Sequence, residues 1–592
     1  MGLVAFCLAL LGGCAAQHSI ESIGAQAEMR APERATGYVE KPGWTAKKFM
    51  VAAANPLATD AGYRILRAGG SAVDAAIAVQ MVLNLVEPQS SGIGGGAFLL
   101  HFDGKEVKAF DGRETAPAAA SEFLFQNADG KPVPFYERVI GGRSVGVPGV
   151  LRMLELAHRR YGKLPWQTLF APAITLAEEG FAVSPRLHAL LQADPYLKKD
   201  PLAAAYFYDE LGEPWPVGHV LKNPELAQVL REISLGGADA FYTGRIARDI
   251  VAKVGGHPAN PGGLSANDMA GYHAKVRDPI CTDYRAWTVC GMPPPSSAGI
   301  AIAQMLGILE TRNLAALAPR NGELNAQAVH LFSEAGRLAY ADRRRYVADT
   351  DFVPLPGNST QALLDERYLA HRAELISEKS MVIARPGMPF VEKVTGGDDN
   401  SPEFPSTSHL SVVDAMGNAL AMTTTIEDAF GSRQMVSGFL LNNELTDFSA
   451  EAADNNGPIA NRVQPGKRPR SSMAPTLVFE KGSKKLLMAL GSPGGSAIIN
   501  YVAKTLVATL DWGLGMQQAI NLPNFGSRNG PTELERGRVP DALIDQLREK
   551  GHAIRLIDQT SGVQGIMHGT INGQQMWIGG ADPRREGSAK GD

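Results

Sequence analysis

Apolar residues recur along the chain with two periods, and the switches between them mark out elements. ATDAGYRILRAGG carries helical spacing closed by a Gly pair, and SAVDAAIAVQMVLNLV predicts a second helix with Ser71 as its cap. EPQSSGIGGGAFLLHF follows. Gly92, Gly94 and Ala97 match the dinucleotide fingerprint on paper, but that fingerprint needs a strand before it and a helix after it. Here the order is reversed, so the stretch reads as a tight Gly-rich turn into a core strand. EVKAFDGRETAP predicts a strand running into a loop that carries Arg113.

Helices are predicted from Pro148 through HRRYG, and over 166–180, 223–235, 243–255 and 326–348. A hairpin around DYRAW leads into a triproline loop and the apolar helix AGIAIAQMLGILE. From Ser380 to Ser406 the residues turn to Gly, Pro and Asp, which predicts an exposed, flexible connector where a chain is open to cutting. HLSVVD then alternates as a strand, AMGN supplies a turn and ALAMTTT is a second strand. Pairing outward from the turn brings Thr425 to within about one residue of Thr407. Further on, KRPRSSMAPTLVFE and KLLMAL lead to GSPGGS and the helix AIINYVAKTLVATL. A strand, glycine loop and helix in that order can aim backbone N–H groups at an anion. RVPDALIDQLREKG and a strand pair near 563–578 complete a pattern that by itself supports only an α/β class.

Composition narrows the function classes. With 592 residues there is ample chain for a large core, and 57 basic against 61 acidic residues leave no electrostatic case for nucleic acid. Arg343, Arg344 and Arg345 read as a solvated helix face. No CxxC, HExxH or clustered spacing appears among the 12 histidines, so spacing supports no metal, and no cofactor is expected. Of 4 cysteines, two belong to the leader. Cys281 and Cys290 flank the hairpin and could pair after export, while two buried thiols fit equally well. LVAFCLALLGG is too short to span a bilayer and ends just before Cys14. Leu11–Gly12–Gly13–Cys14 resembles the lipobox of bacterial lipoproteins, which implies export and a lipid on Cys14, although no Lys or Arg precedes the apolar run. The expected organisation is a leader over 1–13, a tether over 14–45, a first segment over 46–406 and a second over 407–592. The expected location is periplasmic and membrane-anchored, with membrane contact only through the lipid.

Thr407 is the candidate nucleophile. A threonine hydroxyl is weak unless a base sits beside it, and a free α-amine on the same residue, titrating at about 7.7–8.0, can be that base. A cut between Ser406 and Thr407 would create it.

In order, PSTSHLSVVD, TTTIEDAFG, LLNNELTDF, KRPRSSMAPT and GSPGGS resemble the small subunit of γ-glutamyltransferases (glutathione hydrolases) of the N-terminal-nucleophile hydrolase superfamily. EPQSSGIGGGAF, DGRETAP, GVPG, PPPSSAGI and AYADRRRY resemble its large subunit, and the likeness covers roughly 48–590. The resemblance implies a four-layer αββα sandwich formed jointly by the two subunits after self-cleavage before Thr407, with Ser406 supplying the attacked carbonyl. It implies that Thr425 hydrogen-bonds the nucleophile and that Gly494 and Gly495 form the oxyanion hole. Arg113, Ser471 and Ser472 would take a substrate carboxylate, and Glu427, Glu444 and Asp447 its ammonium. Many family members carry amides at the first two of those acidic positions, and the loop after Asp447 looks shorter than the lid of some members. The implied substrates are glutathione-like γ-glutamyl compounds, with water or an amino acid or peptide amine as acceptor. Two alternatives stay open: a glutaryl-β-lactam acylase of the same fold, and an uncut, inactive lipoprotein serving as a binding module.

Overall fold

The computed structural model describes residues 37–391, 396–401 and 406–592. Two seven-stranded sheets form its centre, and every strand pairing within them is antiparallel. In sheet I the order is Trp44–Ala46, Gln574–Ala581, Gln564–Ile571, Leu486–Gly491, Thr476–Glu480, Trp287–Gly291 and Ile280–Tyr284. Sheet II runs Ser588–Gly591, Met50–Ala53, Ser408–Val413, Ala419–Thr425, Gly96–Phe102, Val107–Gly112 and Lys275–Arg277. Segments before and after residue 406 therefore alternate within both sheets.

The strands are apolar on both faces because both faces are covered. In sheet II, Met50, Ala52, Phe98 and Leu100 point inward and pack with Leu477, Ala489 and Ile566 of sheet I. Their neighbours Val51, Ala53, Ala97 and Leu99 point outward, against the helices Pro56–Arg67, Ala72–Val86 and Val150–Tyr161. On the far side, helices Ala298–Leu309, Ala326–Tyr346 and Ile498–Leu510 cover sheet I. The result is the αββα sandwich expected from the resemblance. Ala72–Val86 is buried along its whole length, as its nearly unbroken apolar sequence requires, and Ser71 and Asp74 close a reciprocal cap at its start. Among the described residues, no helix is long and apolar enough to cross a membrane.

Three sequence readings change. Arg343 is buried rather than solvated: its Nε donates to Ser297 Oγ and its Nη2 to Ser472 Oγ, each at 2.7 Å. A run of like charges resembles a wet face until buried hydroxyls supply acceptors. The 380–406 stretch is irregular, but its described parts are anchored. Gly387 N donates to Asp342 Oδ1 at 2.7 Å, and Asp399 pairs with Arg470 at 2.9 Å. Trp44–Ala46 joins sheet I, so strand structure begins inside the expected 14–45 tether. Cys281 and Cys290, directly opposite in their hairpin, form a disulfide. The leader and Cys14 lie outside the described residues.

Candidate active site

The pairing Ser408↔Thr424 sets Thr407 opposite Thr425 at the end of the two central strands of sheet II. Asp414 closes the intervening turn by accepting from Met416 N and Asn418 N at 2.9 and 3.0 Å. At the open end, both threonine hydroxyls donate to the carbonyl of Ser406, Thr407 Oγ1 at 2.5 Å and Thr425 Oγ1 at 3.0 Å. Thr425 Oγ1 in turn accepts from Glu427 N at 2.8 Å, which aims its proton at that carbonyl. Two donors on one oxygen polarise the Ser406–Thr407 peptide bond, and the Thr407 hydroxyl stands beside it. The Ser406 hydroxyl is held by Gln89 O at 2.8 Å.

The Gly94–Gly96 run is explained here by close approach. A Cβ on Gly95 would lie 2.0 Å from Thr425 O, one on Gly94 2.1 Å from Leu440 O, and one on Gly96 2.2 Å from Glu114 Oε2. Only bare backbone lets these three segments meet behind the threonine pair.

Arg113 leaves the end of strand Val107–Gly112 and is buried. Pro469 O and Arg470 O accept from its Nε and Nη2 at 3.1 and 2.8 Å. Its other contacts are acidic. Nη1 pairs with Glu444, Nη2 meets Asp447 Oδ2 at 2.5 Å, and Glu114 Oε2 lies 3.9 Å from Nη1. Burial works against the guanidinium charge, but Glu444, Asp447 and Glu114 outweigh it and hold the charge firmly. Asn442 builds the turn that presents Glu444 and Asp447: its Oδ1 accepts from Glu444 N at 3.0 Å, and its Nδ2 donates to Gly94 O and Gly146 O.

Three carboxyl groups, those of Glu444, Asp447 and Glu114, thus surround one cation, and a fourth, Glu427, lines the same cleft. Burial, then Asp447, Asp428 and Glu444, push Glu427 well above the ordinary carboxylate range. Burial, then Glu444, pushes Glu114 in the same direction. Glu427 also sits at φ +76°, a left-handed conformation costly for a side-chain-bearing residue. Asn443 Nδ2 and Thr446 Oγ1 hold its carboxylate there.

Ser471 and Ser472 complete the wall. Ser472 Oγ accepts from Arg343, and Ser471 Oγ accepts from Met473 N at 3.1 Å. Gly495 begins the short turn Gly495–Ala497 ahead of helix Ile498–Leu510. Ser406, Thr407, Thr425, Arg113, Glu427, Glu444, Asp447, Ser471, Ser472 and Gly495 all line one cleft. Gly494 lies one residue behind it, at φ 134°, where a Cβ would come within 2.5 Å of the Tyr501 ring. Cys14, whose expected role is a separate one, lies outside the described residues.

Sequence reasoning missed four contributors. Glu114 stood next to Arg113 in the quoted DGRETAP segment. Arg343 was taken for a surface charge. Arg585 donates to Thr407 O at 3.2 Å from the C-terminal tail, and Asn443 holds Glu427. Adjacency to Arg113 was a usable signal for Glu114, and adjacency to Glu444 for Asn443; Arg343 and Arg585 carry none.

The family model described as Gamma-glutamyltranspeptidase matches residues 58–592. The glutathione hydrolase proenzyme of Bacillus subtilis (strain 168) is 37% identical over 561 residues, 92% of either chain. That of Escherichia coli (strain K12) is 38% identical over 554 residues, 91% of either chain. Among solved structures, the cephalosporin acylase from Bacillus halodurans superposes with a TM-score of 0.80 at 27% identity, covering 93% of this chain and 97% of its own. With the αββα sandwich, the paired threonines and a match along nearly the whole chain, this protein belongs to the gamma-glutamyltranspeptidase family.

Proposed function

We propose that the protein cuts itself before Thr407 and then acts as a γ-glutamyl hydrolase/transferase. One observation carries the reading: the Ser406 carbonyl lies between the Thr407 and Thr425 hydroxyls, in the same cleft as Arg113 and its carboxylates. In the first step Thr407 Oγ adds to the Ser406 carbonyl carbon, and Thr425 Oγ1 stabilises the oxyanion. The C–N bond breaks as the hydroxyl proton passes to the departing nitrogen, leaving an ester and a free α-amine on Thr407. Water hydrolyses the ester. The amine is then the base that activates Thr407 Oγ against the γ-carbonyl of a glutamyl amide. The amine of the leaving group departs, and water or an amino acid or peptide amine takes the acyl group.

Charge supports the substrate class. A zwitterionic glutamyl head has one carboxylate for Arg113, Ser471 and Ser472, and one ammonium for Glu427, Glu444 and Asp447. It can enter by exchanging with the existing Arg113–Glu444–Asp447 pairs, so neither protein charge is left bare. Gly495, with Gly494 behind it, stands at a helix start suited to the acyl oxyanion. The likeness to a cephalosporin acylase keeps a glutaryl-β-lactam substrate as the second reading. Glutaryl groups lack the ammonium, and the acidic excess around Arg113 weighs against them. For location, we propose an exported lipoprotein anchored through Cys14. Cys281–Cys290 is a bond of the kind that persists in oxidising compartments.

N-terminal sequencing of purified, active protein tests the reading: one chain is expected to begin Thr-Ser-His and to turn over a γ-glutamyl anilide. Thr407→Ala is expected to run as one full-length band with turnover at background. A wild type that stays uncut, or a Thr407→Ala protein that fragments normally, would refute it.

A further inference from the structure

His330 and Glu334 lie one turn apart on helix Ala326–Tyr346, so both leave the same face. That face meets His552, which follows helix Asp541–Glu549. His330 Nδ1 and His552 Nε2 are 2.8 Å apart, although the residues are separated by 222 positions. One ligand atom from each of His330, Glu334 and His552 lies within 4.8 Å of the others, and all three residues are buried.

The surrounding partners dictate the tautomers. His330 Nε2 faces Ser377 O at 2.8 Å and can only donate there, which leaves Nδ1 with a lone pair. His552 Nε2 must then carry a proton to bond His330 Nδ1. His552 Nδ1 accepts from Thr532 Oγ1 at 2.7 Å, and Thr532 Oγ1 in turn accepts from Arg337 Nη2 at 2.8 Å. In this pattern each ring carries one N–H and one lone pair, the form in which imidazole ligates a metal.

We propose that His330 Nδ1, His552 Nε2 and a Glu334 oxygen form a binding site for one divalent ion of the zinc class. Each ligand already has the outer partner that such a site uses: a backbone carbonyl behind His330 and a hydroxyl behind His552. Glu334 is aimed by Arg337 Nε and Ser380 Oγ on Oε1, both at 2.9 Å, and by Met381 N on Oε2 at 2.8 Å. Loading needs no net loss of a proton. The Thr532 hydroxyl rotates, His552 moves its proton to Nδ1, and Nε2 is freed for the ion. Two imidazoles on one tetrahedral ion sit about 3.3 Å apart, so the rings separate by roughly half an ångström. Water takes the fourth position. A surface groove lined by Asn325, Ala326, Gln327, Glu378 and Lys550 borders the first turn of the same helix. His330 and Glu334 precede residue 407 and His552 follows it, so the ion would tie the two segments together. The site does not depend on the proposed cleavage or on the substrate.

The test uses full-length, tag-free protein stripped with chelator and titrated with zinc chloride at pH 7.5. Calorimetry is expected to give one strong equivalent, with a rise in the thermal unfolding midpoint that EDTA reverses. Magnesium chloride should do neither, since a histidine-rich site selects against hard cations. His552→Gln, which keeps a hydrogen-bonding side chain, and Glu334→Gln should each lose the strong equivalent while keeping wild-type circular dichroism. A wild type that takes up no zinc would overturn the proposal, and so would equal binding by His552→Gln.

Discussion

Two buried arginines in this molecule look alike in isolation and are used differently. Arg584 bonds Glu535 through Nε and Nη2 at 2.7 and 2.5 Å. It also reaches Asp582 Oδ1 at 3.1 Å, and Ile520 O and Leu522 O at 3.3 and 3.1 Å. Its acidic partners are shared with other donors: Glu535 with Asn524 N and with Arg538 at 3.6 Å, Asp582 with Ser561 and Val563. There two arginines meet two carboxylates. Around Arg113 one guanidinium meets three, two of them pushed toward the protonated form, and a further raised carboxyl, Glu427 on left-handed backbone, lines the same cleft. A balanced, fully bonded cluster is a joint, because nothing is gained by adding a ligand. Under the proposed function the unbalanced one is a receptor, because a cationic group from outside relieves it.

Substituting the two arginines is the strongest way to break that comparison. Arg113→Ala is expected to lower kcat/KM on a γ-glutamyl anilide by roughly thirtyfold to several thousandfold, in line with the 2–5 kcal/mol lost when one member of a buried charge pair is truncated. Self-cleavage should survive. Arg584→Met should behave oppositely, destabilising the fold by about 3–5 kcal/mol in denaturant titration, with little change in KM for the protein that remains folded. Should Arg113→Ala keep wild-type kinetics, the receptor reading is lost.

Glu427→Gln sharpens the contrast at smaller cost. Under the proposed function this removes a carboxyl that faces the substrate ammonium, which should reduce kcat/KM about ten- to a hundredfold. Stability should change the other way. A carboxyl whose folded pKa is raised binds its proton more tightly in the native state, so its contribution is fully present below the ordinary carboxylate range and is lost as pH rises through the raised value. Relative to wild type, Glu427→Gln should therefore unfold at a similar temperature near pH 4 and at a higher one near pH 8. Glu535→Gln in the balanced cluster should lower the unfolding temperature at pH 8. Thermal melts of both variants at the two pH values check this. The smallest effect is expected from Arg343→Lys, which cannot keep both the Ser297 and Ser472 bonds. A few-fold rise in KM with kcat nearly unchanged would mark it as a positioning residue; a fall in kcat alone would not.

Much of this was legible along the chain. Period-two runs located the central hairpin, and turn chemistry at Asp414–Asn418 fixed its register, so the Thr407–Thr425 juxtaposition followed from counting residues. Arg113, the acidic trio and the two serines were reached through long motifs in order, and the cleft gathers them as that order implied. Arg343 failed because a charge run carries no sign of which face is buried. Asp399 failed because Gly, Pro and Asp spell a loop whether or not a buried arginine waits for the carboxylate.

Local pattern, then, determined the elements, the hairpin register and the residue types available for chemistry, since each depends on neighbours within a few positions. Tertiary structure alone decided which charges outnumber their partners, that Arg585 reaches Thr407, and that His330 meets His552 across the chain. Those contacts join segments hundreds of residues apart. Their energies depend on burial and on the count of nearby charges, and neither quantity exists until the sheets have closed on one another.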